Sequence, residues 1–93
     1  MNKYEVLYII DSTLEEEAIK SLVEKFKNLL ETSAKLESMD EWGKRRLAYP
    51  INDQNEGYYV LSYFEAESDF PSELERIFKI TEGILKYLIL RKE

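Results

Sequence analysis

Segments with strand periodicity and segments with helix periodicity follow one another along this chain in an order that few folds accommodate. Runs rich in β-branched and aromatic residues predict strands, and apolar residues at helical spacing predict helices. The predicted strands are residues 3–10, 35–49, 58–65 and 84–91. The predicted helices are residues 14–31 and a second segment that begins near Phe70 and ends before Gly83. The resulting order is β-α-β-β-α-β.

This order describes two β-α-β units joined by a hairpin, which is the ferredoxin-like arrangement of an α+β domain. Right-handed crossovers place both helices on one face of a four-stranded antiparallel sheet. The first and third strands are the most apolar, so we expect them in the centre. With 93 residues the chain is too short for two ordinary cores. We therefore expect residues 1–93 to form a single ferredoxin-like domain.

The start of the first helix carries an acidic cluster at residues 15–17. Ser12 with Glu15, or Thr13 with Glu16, fits a capping box, in which each side chain satisfies the other's free backbone donor. Glutamates also suit the positive end of the helix dipole. We prefer this interpretation to a metal or substrate site.

The hairpin between the second and third strands shows three interruptions. Alternation is disturbed at residues 40–43, where Gly43 makes a bulge plausible. Pro50 is expected to end the second strand because proline cannot donate to a ladder. Residues 52–57 are turn formers, and we expect them to form a polar loop.

The predicted strands carry apolar side chains on both faces, although two helices can cover only one. In the first strand Val6, Tyr8 and Ile10 point one way, whereas Leu7 and Ile9 point the other. The uncovered face therefore keeps an apolar, aromatic patch, and we expect a partner to cover it. The alternative is that neighbouring charges shield single leucines, which need no partner.

Composition lowers the expectation of an enzyme. The chain has no cysteine and no histidine, which removes thiolate sites, the usual general base and the commonest zinc ligand. No apolar run approaches the roughly 18–20 residues of a membrane helix. We expect a cytoplasmic, non-enzymatic protein without metal, cofactor, membrane or small-molecule substrate. The net charge of −6 argues against nucleic acid, but an acidic total can hide a local basic edge.

The most distinctive basic segment is residues 44–46, three consecutive cations followed by Leu-Ala-Tyr. In an extended chain the first and third cations share one face, and Arg45 points to the other. Arginine suits phosphate oxygens, and Tyr49 can stack on a base or fill a hydrophobic niche. The alternative is a solvated strand whose arginines bridge Asp40 and Glu41. The residues alone leave both interpretations open.

The run Gly43-Lys44-Arg45-Arg46-Leu47-Ala48-Tyr49-Pro50-Ile51-Asn52, followed by Gly57-Tyr58, resembles the signature of ribosomal protein six of the bacterial small subunit. The Tyr4-Glu5 opening and the order of elements are also similar to that family, over essentially the whole chain. The resemblance implies a non-enzymatic, ferredoxin-like protein. It also implies binding to the central domain of small-subunit ribosomal RNA, as a heterodimer with ribosomal protein eighteen.

The resemblance further implies where the contacts lie. RNA contacts come from the first strand, the second strand with its loop, and the last strand. Carried over to this sequence, the RNA-binding residues are Lys3, Tyr4, Arg45, Arg46, Tyr49, Tyr58, Lys86 and Arg91. The residues expected to contact protein eighteen are Trp42, Leu88 and Leu90. Residues 52–56 contain no lysine or arginine, so we expect no phosphate contact there.

Three other functions fit part of the pattern. Base stacking on third-strand aromatics, as in the RRM, is weakly indicated, because Glu56 stands where that motif has a cation. A phosphatase on this fold needs an arginine and an oxyanion-binding loop after the first strand, and residues 11–13 contain neither arginine nor glycine. A small regulatory domain that oligomerises through its open face and binds a metabolite remains an alternative, although no distinctive ligand loop supports it.

Overall fold

The computed structural model describes residues 1–92 and contains six elements in the predicted order. The strands are β1 (Asn2–Asp11), β2 (Lys35–Ile51), β3 (Gln54–Ala66) and β4 (Ile84–Lys92). The helices are α1 (Glu16–Ser33) and α2 (Phe70–Ile80). All strand pairs are antiparallel and the sheet order is β2-β3-β1-β4, so the expected central position of β1 and β3 is confirmed. The architecture is the predicted ferredoxin-like one.

One face of the sheet packs against both helices and forms the core. Val6, Tyr8 and Ile10 of β1 are fully buried there. The rings of Phe26 from α1 and Phe78 from α2 stack at 4.4 Å, and each lies 5.2 Å from the Tyr8 ring. Burial raises the pKa of the Tyr8 hydroxyl, which has no hydrogen-bond partner among the described residues. Each fully buried apolar side chain of this core, such as Val6, Ile10 or Phe26, stabilises the fold by about 1.5–3 kcal/mol.

The start of α1 differs from the predicted capping box, which was wrong. Glu15 occupies the N-cap position and makes no side-chain capping hydrogen bond. The Thr13 hydroxyl instead donates to Asp11 Oδ1 at 2.6 Å, and the Thr13 backbone N–H donates to the same oxygen at 2.9 Å. The side-chain bond from Thr13 lowers the pKa of Asp11. Because α1 begins at Glu16, Ser12 and Thr13 lie before its N-cap residue and are too early in the chain to cap the helix, and Thr13 forms the turn with Asp11 instead.

The β2–β3 hairpin reverses more tightly than predicted. β3 begins at Gln54, and the chain turns at Asn52 and Asp53, whose φ angles are 50° and 63°. Asparagine and aspartate tolerate this left-handed conformation better than most residues. The polar loop predicted over residues 52–57 was therefore wrong, since residues 54–57 belong to β3. β2 also runs on past Pro50 to Ile51, which an edge strand permits.

The predicted bulge in β2 is confirmed. Glu41 lies opposite Val60 and Gly43 lies opposite Tyr59, so Trp42 is the extra residue between two paired positions. Gly43 has a φ of 81°, a conformation that glycine adopts without strain. The bulge turns the indole of Trp42 toward the side of the sheet away from the helices.

Candidate RNA and protein interface

The open face is the side of the sheet turned away from both helices. Because directly opposed residues of antiparallel strands share a face, the register defines its members. They include Lys3, Glu5, Leu7 and Ile9 of β1, Tyr59, Leu61 and Tyr63 of β3, and Lys86, Leu88 and Leu90 of β4. Leu88 and Leu90 remain 50% and 42% exposed, and Trp42 38%. The apolar patch predicted on this face is therefore present.

Trp42 links the patch to the basic motif. Its ring stacks on Tyr59 at 6.1 Å with an interplanar angle of 12°, and its Nε1 donates to Asp40 Oδ2 at 3.2 Å. The guanidinium of Arg45 lies 5.6 Å from the centroid of the indole. A cation at this distance is attracted to the ring face by about 0.5–1 kcal/mol at an exposed site. The Arg45 side chain is thus held at the border of the apolar patch while it stays exposed.

The three consecutive cations are divided between the two faces, as their alternation predicts. Lys44 lies opposite Tyr58 and Arg46 opposite Glu56, on the side of the sheet that carries the helices. Arg45 lies opposite Gly57 on the open face. Neither face of the sheet carries all three, so a ligand that contacts both arginines must reach around the edge of the sheet that β2 forms.

The alternative in which the arginines bridge the acidic residues of β2 is not seen. Within residues 1–92 neither Arg45 nor Arg46 forms a salt bridge. Asp40 accepts its hydrogen bond from Trp42 instead. Glu41 accepts one from the Tyr58 hydroxyl. Both guanidinium groups are thus available to an external anion.

Tyr49 and Lys86 contact each other across the sheet. Lys86 Nζ donates to the Tyr49 hydroxyl at 2.6 Å and lies 5.1 Å from the centroid of its ring. β2 and β4 are opposite edges of the sheet, so this contact passes over both central strands. We call the four residues Trp42, Arg45, Tyr49 and Lys86 the hairpin end of the open face.

Lys3 and Arg91 lie at the other end of the sheet. Lys86 is opposite Ile9 and Arg91 is opposite Tyr4, a separation of five strand residues or about 17 Å. The Arg91 guanidinium donates to Asn2 Oδ1 at 2.9 Å. The predicted cationic contacts therefore form two groups and not one continuous site.

Two tyrosines predicted to contact RNA lie on the helix-covered side. Tyr4 is 6% exposed and its ring stacks on Phe64 at 5.6 Å, so we place it in the core and not on an RNA surface. Tyr58 is half-buried, and its hydroxyl donates to Glu41 Oε1 at 2.8 Å. This hydrogen bond raises the pKa of Tyr58. Strand alternation separates both from the open face.

Comparison with known proteins decides the family. The family profile described as Ribosomal protein S6 matches residues 3–91. The chain belongs to the ribosomal protein S6 family. It is 48% identical to the small ribosomal subunit protein bS6 of Clostridium novyi over 94 residues, which cover 100% of this chain and 99% of the relative. It is 50% identical to the protein of the same name from Thermoanaerobacter pseudethanolicus, with the same coverage.

A solved structure of the S6 family supports the same conclusion. The crystal structure of 30S ribosomal protein S6 from Thermotoga maritima matches with a TM-score of 0.92 and 31% identity, over 98% of this chain and 87% of that one. Members of the S6 family are named as ribosomal proteins and not as enzymes, which confirms the expectation of a non-enzymatic protein. These relatives give no support to a metabolite-binding regulatory domain.

The sequence patterns did not predict the packed unit beneath the hairpin end. Leu47 is 7% exposed and Ile9 is 6% exposed, although both lie toward the open face. A Cβ atom on Gly57 would lie 2.3 Å from Ile9 Cγ2 and 3.4 Å from Leu47 Cδ2. The Ile9 and Leu47 side chains fill this space because Gly57 has no side chain of its own. The available signal was the apolar Leu47 directly after three cations.

Within residues 1–92, no group of three or more acidic side chains converges in a way that could hold a metal ion. Neither α1 nor α2 is both long and apolar enough to cross a membrane.

Proposed function

We propose that this chain binds the central domain of small-subunit ribosomal RNA as one half of a heterodimer with ribosomal protein eighteen. As a member of the S6 family it is a protein of the bacterial small ribosomal subunit, at the ribosome in the cytoplasm. The observation that carries the proposal is the contact of Arg45 with Trp42. This contact puts a guanidinium group, whose geometry suits phosphate oxygens, at the edge of an exposed apolar patch, which supports a site where RNA and a protein partner meet.

The apolar patch supports the protein half of the proposal. Trp42, Leu88 and Leu90 combine an aromatic ring with two aliphatic side chains that all retain more than a third of their exposure. Large apolar and aromatic residues are typical of the centre of an interface, and charges are typical of its rim. Lys86 and Arg45 lie at that rim. We propose that protein eighteen covers Trp42, Leu88 and Leu90.

The two groups of cations support the RNA half. Arg45 and Arg46 are exposed near the hairpin end, without salt bridges in residues 1–92. Lys3 and Arg91 are exposed about 17 Å away along the strands. We propose that RNA contacts both groups. Tyr58 contributes through its exposed edge only, because its hydroxyl is engaged by Glu41.

The net charge predicts which of the two proteins neutralises most of the RNA phosphate. At −6 the chain repels phosphate at a distance, so it binds RNA weakly alone. A basic partner supplies most of the phosphate neutralisation, and the affinity of the pair falls steeply with salt.

A filter-binding titration of central-domain RNA tests the proposal, with and without protein eighteen. We expect weak binding by this chain alone and tight binding by the pair. Tight binding by the chain alone contradicts the division of charge, and no binding by the pair contradicts the proposal itself.

A further inference from the structure

β2 contains extra residues just before the hairpin turn, where its pairing with β3 is interrupted. Arg46 lies opposite Glu56, whereas Ile51 lies opposite Gln54. Four residues of β2, numbers 47–50, therefore face the single residue Asn55 of β3. The surplus length lets this part of β2 leave its edge position. We call residues 47–50 the strap.

The strap lies over the end of the open face. Ile9 is buried, although Leu7, its neighbour on the same face of β1, is only half-buried. The difference arises because Leu47 packs beside Ile9 in the niche that Gly57 leaves open. A small cavity of about 60 Å³ remains between the strap and Ile9, Tyr59 and Lys86.

The far end of the strap is held by Lys86. Its ammonium group donates a hydrogen bond of 2.6 Å to the Tyr49 hydroxyl and lies beyond that edge of the ring, 5.1 Å from the ring centroid. Tyr49 is itself 56% exposed, so apolar burial contributes little to keeping it in place. The contact with Lys86 is what ties the strap to the opposite edge of the sheet.

We propose that Lys86 is a positioning residue, which latches the strap across the open face and thereby holds Tyr49 over Ile9 and Tyr59. Arg45 and Arg46 are held by their own register with Gly57 and Glu56, so the latch acts on Tyr49, whose ring can stack on an unpaired base. The effect on RNA affinity rests on the proposed function. The latch itself is a contact within this chain and requires neither RNA nor the protein partner.

The free protein tests the latch directly. The Tyr49 hydroxyl lies 2.6 Å from Lys86 Nζ, so the ring protons beside that hydroxyl and the Lys86 Hε protons give an NOE cross-peak in an NMR spectrum. We expect Tyr49→Leu to abolish this cross-peak, and Tyr49→Phe to weaken it, because the ring remains but the hydroxyl is lost. Lys3→Met, which removes another open-face cation, is the matched control and leaves the cross-peak unchanged. Absence of the cross-peak in the unaltered protein would overturn the proposal.

RNA binding by the heterodimer distinguishes two roles for Lys86, as a positioning residue or as a direct phosphate contact. We expect Lys86→Met to weaken binding about three- to tenfold and to leave the dependence of log affinity on log salt unchanged. The loss of a phosphate contact would instead reduce that slope by about 0.7–0.9. A reduced slope would overturn the positioning role.

A double-mutant cycle provides the second readout. If Lys86 acts through Tyr49, Lys86→Met in a Tyr49→Leu background weakens binding no further. Additive losses would contradict the latch. If the unaltered pair fails to bind RNA, the proposed function fails. The NMR cross-peak between Lys86 and Tyr49 in the free protein then still shows whether the latch exists.

Discussion

On the helix-covered face of the sheet the Tyr8 ring contacts Phe26 and Phe78 and is fully buried, whereas on the open face the Tyr59 ring stacks on Trp42 and both stay partly exposed. The two faces draw on similar residues because the strands alternate apolar side chains on both sides. Two helices cover only one of them. The open face therefore has the apolar composition of a core surface, but no helix packs against it, and cations lie at its border.

The largest expected effect is a difference in the free energy of unfolding between substitutions on the two faces. Phe26→Ala removes a ring from the closed face and leaves a cavity, so we expect a loss of about 3–5 kcal/mol. Leu88→Ala on the open face, where half of the side chain is already exposed, changes stability by about 0.5 kcal/mol or less. Urea unfolding followed by circular dichroism measures both. Similar losses would remove the distinction between the two faces.

A smaller loss is expected where the strap packs onto the open face. Gly57→Ala places a methyl group 2.3 Å from Ile9 Cγ2, so the strap or β1 must shift. Overpacking of this kind costs about 1–3 kcal/mol. Urea unfolding gives the loss, and NMR shifts of the Ile9 methyl groups report the displacement. A variant as stable as the parent would show that Ile9 moves aside without cost and that the niche above Gly57 is loosely packed.

Arg45 tests whether the rim of the open face contacts RNA. We expect Arg45→Ala to weaken RNA binding by the heterodimer roughly tenfold, as for the loss of hydrogen bonds to a charged group, and to lower the salt slope by about 0.7–0.9. Lys27→Ala, which removes an exposed cation from α1, is the control and has no effect. Stability should be unchanged in both, and unfolding of Arg45→Ala would instead assign the arginine a structural role.

The smallest effect concerns the turn between β1 and α1. The hydrogen bond from Thr13 lowers the pKa of Asp11, so it contributes stability above the ordinary aspartate pKa and loses it as the pH falls through the folded value. Thr13→Val should move the pKa of Asp11 back toward its ordinary value in an NMR titration. An Asp11 pKa that does not change would show that the hydroxyl is not its partner.

The fold could be predicted from sequence because it depends on periodicity. Alternation in β1 places Val6 and Leu7 on opposite faces, and the glycine at position 43 marks the bulge. The same alternation predicted that Arg45 and Arg46 point to different faces, and the register bears this out.

The remainder depends on contacts between distant residues. Tyr49 and Lys86 are 37 residues apart, and their meeting depends on the surplus length of β2 opposite Asn55, which no local pattern reveals. The resemblance predicts an RNA contact for Tyr4, although its alternation with Val6 and Tyr8 indicates the core. The capping box was wrong because the helix begins at Glu16, after both candidate capping residues, and turn-forming residues alone do not fix where a helix starts.

The central claim is that the open face, and not the helix side, binds the protein partner. The most direct test compares Leu88→Lys on the open face with Ile80→Lys at the end of α2, where an isoleucine is 67% exposed. The affinity for ribosomal protein eighteen is measured for both by titration calorimetry. The account predicts a loss of more than about tenfold for Leu88→Lys, as for an interface residue worth over 1.4 kcal/mol, and none for Ile80→Lys. Full affinity with Leu88→Lys, or an equal loss with Ile80→Lys, would contradict it.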